Sequence, residues 1–318
     1  MKYFFVFVFF IAPSIIFASN LSFAISANNA NEITINPFFQ NSSQTQNMLN
    51  LGLTNLTSSS NTNIQKISSE NANQDVGKEI TTFGYRNVAD FWQYLISPVK
   101  WDTGQWLTFL GISGATYLIV LNDRNILQWA TTQTPSSVKD VFNFFYPIGD
   151  WKKAMVGVGG LYLVGMTIQD KKLQQTSYLA LKSFIFSSAS AQGLKTLFHR
   201  HFDSDLDPYK WDGPKFDLSV SERAFPGGHA STIWAIATVY ADQYGNDLIL
   251  SSLIYAIATC SSLASITKGE HWPSDVFFGA ALGFFTAKSV IYLESNPDPF
   301  LIPFVSPETF GLKLNYKF

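Results

Sequence analysis

Six long apolar segments constrain this chain more than any other feature. They run over Trp106–Leu121, Ala154–Ile168, Tyr178–Phe198, Ala230–Ala241, Leu248–Thr267 and Val276–Leu293. Each outlasts an ordinary strand and is rich in Ala, Leu, Phe and Ile, which predicts helix. Charges interrupt them only at Lys182, Lys195 and Lys288. Uncharged runs of ~12–20 residues are marginal for a hydrocarbon core of about 30 Å. The Gly, Ser and Thr that dot them suit close helix contacts in a membrane and the interior of a large soluble bundle alike. Hydrophobic residues make up 47% of the chain and charged residues 14%, against roughly a quarter charged in ordinary soluble domains. The composition therefore points to a membrane-embedded, membrane-associated or unusually apolar helical protein. With a net charge of −2 and no basic tract, nothing points to nucleic acid and none is expected as a partner. The single cysteine, Cys260, excludes an intramolecular disulfide framework.

The flanks differ from this core. Lys2, the apolar stretch Tyr3–Phe17 and the small residues around Ser22-Phe23-Ala24 read as an export signal over 1–24. Residues 25–80 are rich in Asn, Ser, Thr and Gln and bury too little apolar area to offset backbone entropy, so they read as a disordered spacer. Val88–Ile96 reads as a short amphipathic helix ended by Pro98, opening a helical domain over 81–295. In the tail, 296–318, Gly311–Phe318 alternates apolar and polar and Pro307 precedes it, which predicts a short C-terminal β-hairpin. The expected fold class is all-α, a six-helix bundle with that hairpin appended.

All four histidines, His199, His201, His229 and His271, lie between Lys195 and Asp275. Histidine titrates near neutrality, so it is the usual proton carrier or nucleophile of a site. In His271-Trp-Pro-Ser-Asp275 the proline suits the first turn of a helix and the i, i+4 spacing puts His271 and Asp275 on one face. Such a carboxylate can hold one ring nitrogen protonated and leave the other to attack; the same spacing also suits two groups that merely satisfy each other. In Phe225-Pro-Gly-Gly-His229, two glycines before an apolar helix let N–H groups converge at its positive end, where phosphate binds, though Gly-Gly before a helix is common. Lys195 is a charge inside an apolar run, costly unless it faces a ligand, a partner or the surface. Asp203, Asp205 and Asp207 open like a calcium loop, but Pro208 replaces its turn glycine, and a solvated acidic loop is the simpler reading. No metal site and no cofactor are expected; the only close carboxylate–histidine set visible in the sequence is His271 with Asp275.

Together the three segments resemble the type 2 phosphatidic acid phosphatase and vanadium haloperoxidase superfamily. Its pattern is a Lys seven residues before Arg-Pro, then Pro-Ser-Gly-His, then Ser-Arg followed by His and, four residues on, Asp. Lys195 fits the first motif, Pro226, Gly228 and His229 the second, and His271 and Asp275 the third. The resemblance implies an acid phosphatase/haloperoxidase-type helical bundle and phosphoryl transfer. His271 would be the nucleophile, Asp275 its orienter, His229 the general acid and Lys195 a phosphate clamp, with Gly227 and Gly228 lining the anion. The departures thin the clamp: Phe202-Asp203 replaces Arg-Pro, Gly227 the serine, and Ala264-Ser265 the Ser-Arg pair. Arg200, Arg223 and Lys268 are near enough in sequence to compensate, and Arg200 is the candidate clamp among them.

The expected function is an exported phosphatase of the periplasm or cell envelope, acting on a phosphorylated small molecule or a lipid phosphate. The alternative is a catalytically silent relative that binds phosphate or an envelope partner. A cleaved signal followed by six crossings would put the motif-bearing loops on the inner side, which favours a soluble or peripherally attached bundle.

Overall fold

Each of the six apolar segments is a helix in the computed structural model, which describes residues 84, 86–202, 207–215, 223–245 and 247–296 and the backbone of 301–305 and 310–314. The export signal and the spacer expected over 1–24 and 25–80 lie outside the described residues. By its contacts the chain divides into two units; one contains Ala89–Phe318, and the other, Ser22–Val88, is described only at its end. Residues 86–96 form α1. The six apolar helices are α2 (Thr103–Val120), α5 (Trp151–Thr167), α6 (Lys171–Phe198), α7 (Gly228–Gln243), α8 (Leu248–Thr267) and α9 (Pro273–Ser295). Between α2 and α5 stand α3 (Asp123–Gln133) and α4 (Ser136–Phe145), so the described residues hold nine α-helices rather than six. Asp123–Gln133 is polar enough to read as a linker. It is helical because Asp123, Leu127 and Ala130 share one buried face.

Local chemistry sets the helix starts. Asp102 caps α2 in a capping box with Gln105, and Asp150, Asp170 and Asp247 cap α5, α6 and α8 through their carboxylates. Each such cap contributes about 1 kcal/mol. Pro273 opens α9 with its ring at the position where a missing N–H costs nothing. At the other end of α6 the chain leaves the helix through His199 in the left-handed region, φ 41°.

Helix α7 is central and packs on α6, α8 and α9. Its contact with α9 is backbone to backbone. A Cβ on Gly279 would run into the Gly227 carbonyl, and one on Gly283 into the Ser231 carbonyl and, at 2.8 Å, the Ala235 nitrogen. Small residues four apart thus draw α9 onto the first turns of α7. That approach brings the second and third histidine motifs side by side.

The distribution of polarity is unusual for a soluble bundle. Lys182 is buried and paired with Asp90 at 2.6 Å and Glu294 at 3.0 Å. Meanwhile Leu107 and Leu118 on α2, Val156 and Leu163 on α5, and Leu248 and Ile249 on α8 are each more than 60% exposed. Helices α8 and α9 are long and apolar enough to cross a membrane, and α2 with α3, bent by 66°, would make a third such span. Beyond α9, the backbone of β1 (Leu301–Val305) pairs antiparallel with β2 (Phe310–Leu314), Leu301 opposite Leu314 and Val305 opposite Phe310.

Candidate active site

The N-terminus of α7 is where the three motifs meet. Its N-cap, Gly227, supplies no side-chain cap. The N–H groups of Gly228 and His229, in the first turn, have no intrahelical acceptor and sit at the positive end of the helix. Lys195, from the last turn of α6, lies alongside, its Cε 3.7 Å from where a Gly228 Cβ would stand. The Lys195 ammonium donates to the carbonyls of Arg223 (2.5 Å) and Ala224 (3.3 Å), and burial pushes its pKa down to about 8. Gly228 therefore stands where an anion could be held. Gly227 does not: its N–H donates to the Asp275 carbonyl at 2.8 Å. A Cβ there would stand 3.0 Å from that same oxygen, so the serine of the family pattern would need the seam to give by a few tenths of an ångström.

His271 occupies the turn between α8 and α9. Its Nδ1 is buried and has no hydrogen-bond partner among the described residues. Burial holds the ring neutral, with its pKa near 3, and the charges of Lys195 and His229 act in the same direction. The expected hydrogen bond from His271 to Asp275 is not made. Asp275 Oδ1 accepts from Arg200 at 2.5 Å, and its Oδ2 has no partner among the described residues. The reason is geometric: α9 begins at Pro273, so His271 precedes the helix and the i, i+4 rule does not apply to the pair.

Arg200 does not clamp phosphate in this arrangement, contrary to expectation. It is fully buried. Its Nε donates to the Pro208 carbonyl (3.2 Å), and Nη1 to Ser274 Oγ (2.7 Å) and Asp275 (2.5 Å). Nη2 donates to Asp123 (2.6 Å) and Pro208 (2.9 Å). Those bonds use all five guanidinium donors. The rings of Trp211 and Trp272 lie 4.7 and 5.4 Å from the guanidinium carbon. Arg200 holds Asp275, not a ligand. Asp123, which also accepts from the Ser274 N–H at 2.9 Å, is a site residue that sequence reasoning missed. Its position in an apparent linker gave no sign of a partner far along the chain.

His229 stacks on Tyr146 at 4.3 Å, and its Nε2 is 3.1 Å from Ser261 Oγ. The 3₁₀ turn Tyr146–Gly149 covers it closely, since a Cβ on Gly149 would strike the imidazole. Burial is the main cause that lowers the His229 pKa to about 4, against the opposing pull of Glu270. Tyr146, Gly149 and Ser261 lie in a linker and an apolar helix, and no motif marks them. Neither remaining basic candidate replaces the missing arginines in this structure. Arg223 donates to Thr196 at 3.3 Å, and Lys268 lies over the Tyr146 ring with Glu270 at 3.4 Å. Ser265, at the family arginine position, has a buried hydroxyl without a partner among the described residues.

Residues 173–297 match the family model described as PAP2 superfamily, a stretch that contains all three motifs. This part of the chain is similar to the PAP2 superfamily. A lipid A 1-phosphatase from Porphyromonas gingivalis is 34% identical over 65 residues. That match covers 20% of this chain and spans only 15% of the relative. Among solved structures, Aquifex aeolicus LpxE aligns over 53% of this chain and 93% of its own, at 19% identity and TM-score 0.39. A transmembrane PAP2 type phosphatidylglycerolphosphate phosphatase from Bacillus subtilis aligns over 61% and 96%, at 15% identity and TM-score 0.42.

Two outcomes follow from these placements. Arg200→Met leaves Asp123 and Asp275 buried without their cation, and thermal or denaturant unfolding is expected to register a loss of about 3–5 kcal/mol. The second concerns pH. His229 and His271 ordinarily titrate at 6.5 but are held to about 4 and about 3 in the fold. Below 6.5 the unfolded chain binds protons that the folded chain refuses, so stability is complete above that pH and falls toward pH 4. Melting curves across that window measure the slope, which is expected to be shallower in His271→Asn.

Proposed function

We propose that this protein is a membrane-associated lipid phosphatase that works through a phosphohistidine on His271. The observation that carries the reading is the meeting of three groups at the uncapped end of α7: the His271 ring, the buried Lys195 ammonium and the N–H groups of Gly228 and His229. A phosphate monoester held there presents its phosphorus to His271 Nε2. Attack forms the N–P bond as the ester P–O bond breaks, and the leaving oxygen takes its proton from His229. Water, deprotonated by His229, then attacks phosphorus, breaks the N–P bond and releases inorganic phosphate. Asp275 Oδ2 and His271 Nδ1 are both without a partner among the described residues of the empty site; the mechanism has them pair once phosphate is bound, so Arg200 acts as a positioning residue. His229 is neutral when the site is empty. The negative charge of the bound phosphate raises its affinity for the proton it must donate.

Substrate class rests on a second feature. An apolar cavity of about 630 Å³ runs from Pro147 and Ile148, in the turn over His229, along α5, α7 and α8 past Val158, Leu161, Ile233 and Ile257. An acyl chain fits that lining, and the phosphate it carries would reach the end of α7. Helices α8 and α9 are the spans we propose. The reading includes an export signal over 1–24, a spacer over 25–80, a catalytic domain over 81–295 built on six principal helices, and a C-terminal hairpin. One group of observations favours a phosphate-binding but silent relative instead: Arg200 is engaged elsewhere, Gly227 has no free N–H, and serine replaces arginine at 265. Losing one such donor costs about 10²–10³ in rate.

Phosphate release from a lipid phosphate in detergent micelles and from a soluble aryl phosphate separates the readings. The lipid is expected to be the better substrate, with a loss of at least about 10³-fold in His271→Ala. Phosphate binding by the folded protein without release from either substrate supports the silent relative. Activity that survives His271→Ala contradicts the mechanism.

A further inference from the structure

We propose that His199, His201 and Asp212 form a binding site for a divalent transition-metal ion of the zinc class. The three side chains offer ligand atoms that all lie within 4.8 Å of one another. Backbone geometry explains why they converge. Arg200 and Trp211 form an antiparallel bridge, flanked by bonds from His201 N–H to the Lys210 carbonyl (3.0 Å) and from Asp212 N–H to the His199 carbonyl (3.1 Å). The His199 and His201 rings come to one side, their centroids 5.4 Å apart, while Arg200 between them reaches Asp123 and Asp275. Asp212 is directly across from His199. The sequence did not reveal this set, because only the bridge brings the carboxylate to the histidines.

A ligand would answer an otherwise unexplained cost. His199 is 1% exposed, yet its Nδ1 has no hydrogen-bond partner among the described residues. It also holds a positive φ of 41°, a conformation a β-carbon disfavours. Two imidazoles and a carboxylate are ligands zinc accepts, with bonds of about 2.0–2.2 Å and water completing the tetrahedron. His201 Nε2 and Asp212 Oδ2 are already 2.7 Å apart. The Lys215 ammonium sits on that same oxygen but is half exposed and can swing into solvent. A metal here would pin the bridge whose opposite face presents Arg200 to Asp275. It is a structural site, apart from the reacting phosphate.

Cobalt(II) is the probe, added to the full-length protein after dialysis against chelator. A tetrahedral d–d absorption saturating at one equivalent is expected, displaced by zinc, together with a rise in Tm on zinc addition. The doubly substituted His201→Gln, Asp212→Asn protein changes only the two more exposed ligands. It is expected to lose the absorption and the Tm shift, a weakening beyond the roughly 10–100-fold that loss of an outer-shell partner brings. His271→Asn is expected to keep both. No cobalt absorption in the unsubstituted protein overturns the proposal. So does absorption that survives the double substitution in folded protein, or that disappears in His271→Asn.

Discussion

A single guanidinium, that of Arg200, makes it possible for two carboxylates to be buried together. Asp123 comes from α3, Asp275 from α9, and Arg200 from the extended chain just after α6. Each charge would be costly alone in so dry a place, and removing one partner strands the others. The arrangement ties three parts of the domain at one point, and the two tryptophan faces around it exclude water. Asp275 is left with one oxygen paired and the other buried without a partner among the described residues.

The rest of the site follows from how closely helices approach. Gly279 and Gly283 let α9 press its backbone onto α7, and the Gly227 N–H reaches the Asp275 carbonyl across that seam. The seam fixes the start of α7 relative to the turn bearing His271. A side chain at 227 would sit tightly against the Asp275 carbonyl in that seam. In the function we propose, anion binding falls to Lys195 and the remaining N–H groups of the first turn. Such a site is weaker in charge than the family pattern and relies on burial to make its few donors count.

Much of this was legible in the sequence. The apolar segments foretold the six longest helices among the described residues, because long uncharged runs of helix formers leave few alternatives. Lys195, His229, His271 and Asp275 were legible as a motif, and the fold brings them to one place. What escaped was direction and long-range pairing. Arg200 stands near the first motif but turns to the opposite side, which depends on a bridge to Trp211 that no local pattern encodes. Asp123 looked like a linker residue because its partners Arg200 and Ser274 lie far along the chain. The His271–Asp275 spacing suggested a helical pair, yet the helix starts two residues too late. Tyr146, which stacks on His229, sits in a turn with no signature.

The division of labour between Lys195 as clamp and Arg200 as support for Asp275 is the central claim. An experimental structure with vanadate, an oxyanion in place of the transferring phosphoryl group, tests it most directly. The predicted result has vanadium at His271 Nε2, oxyanion oxygens on the Lys195 ammonium and the N–H groups of Gly228 and His229, and Arg200 still between Asp123 and Asp275. Contact between the Arg200 guanidinium and the oxyanion, or an oxyanion away from the start of α7, would contradict it.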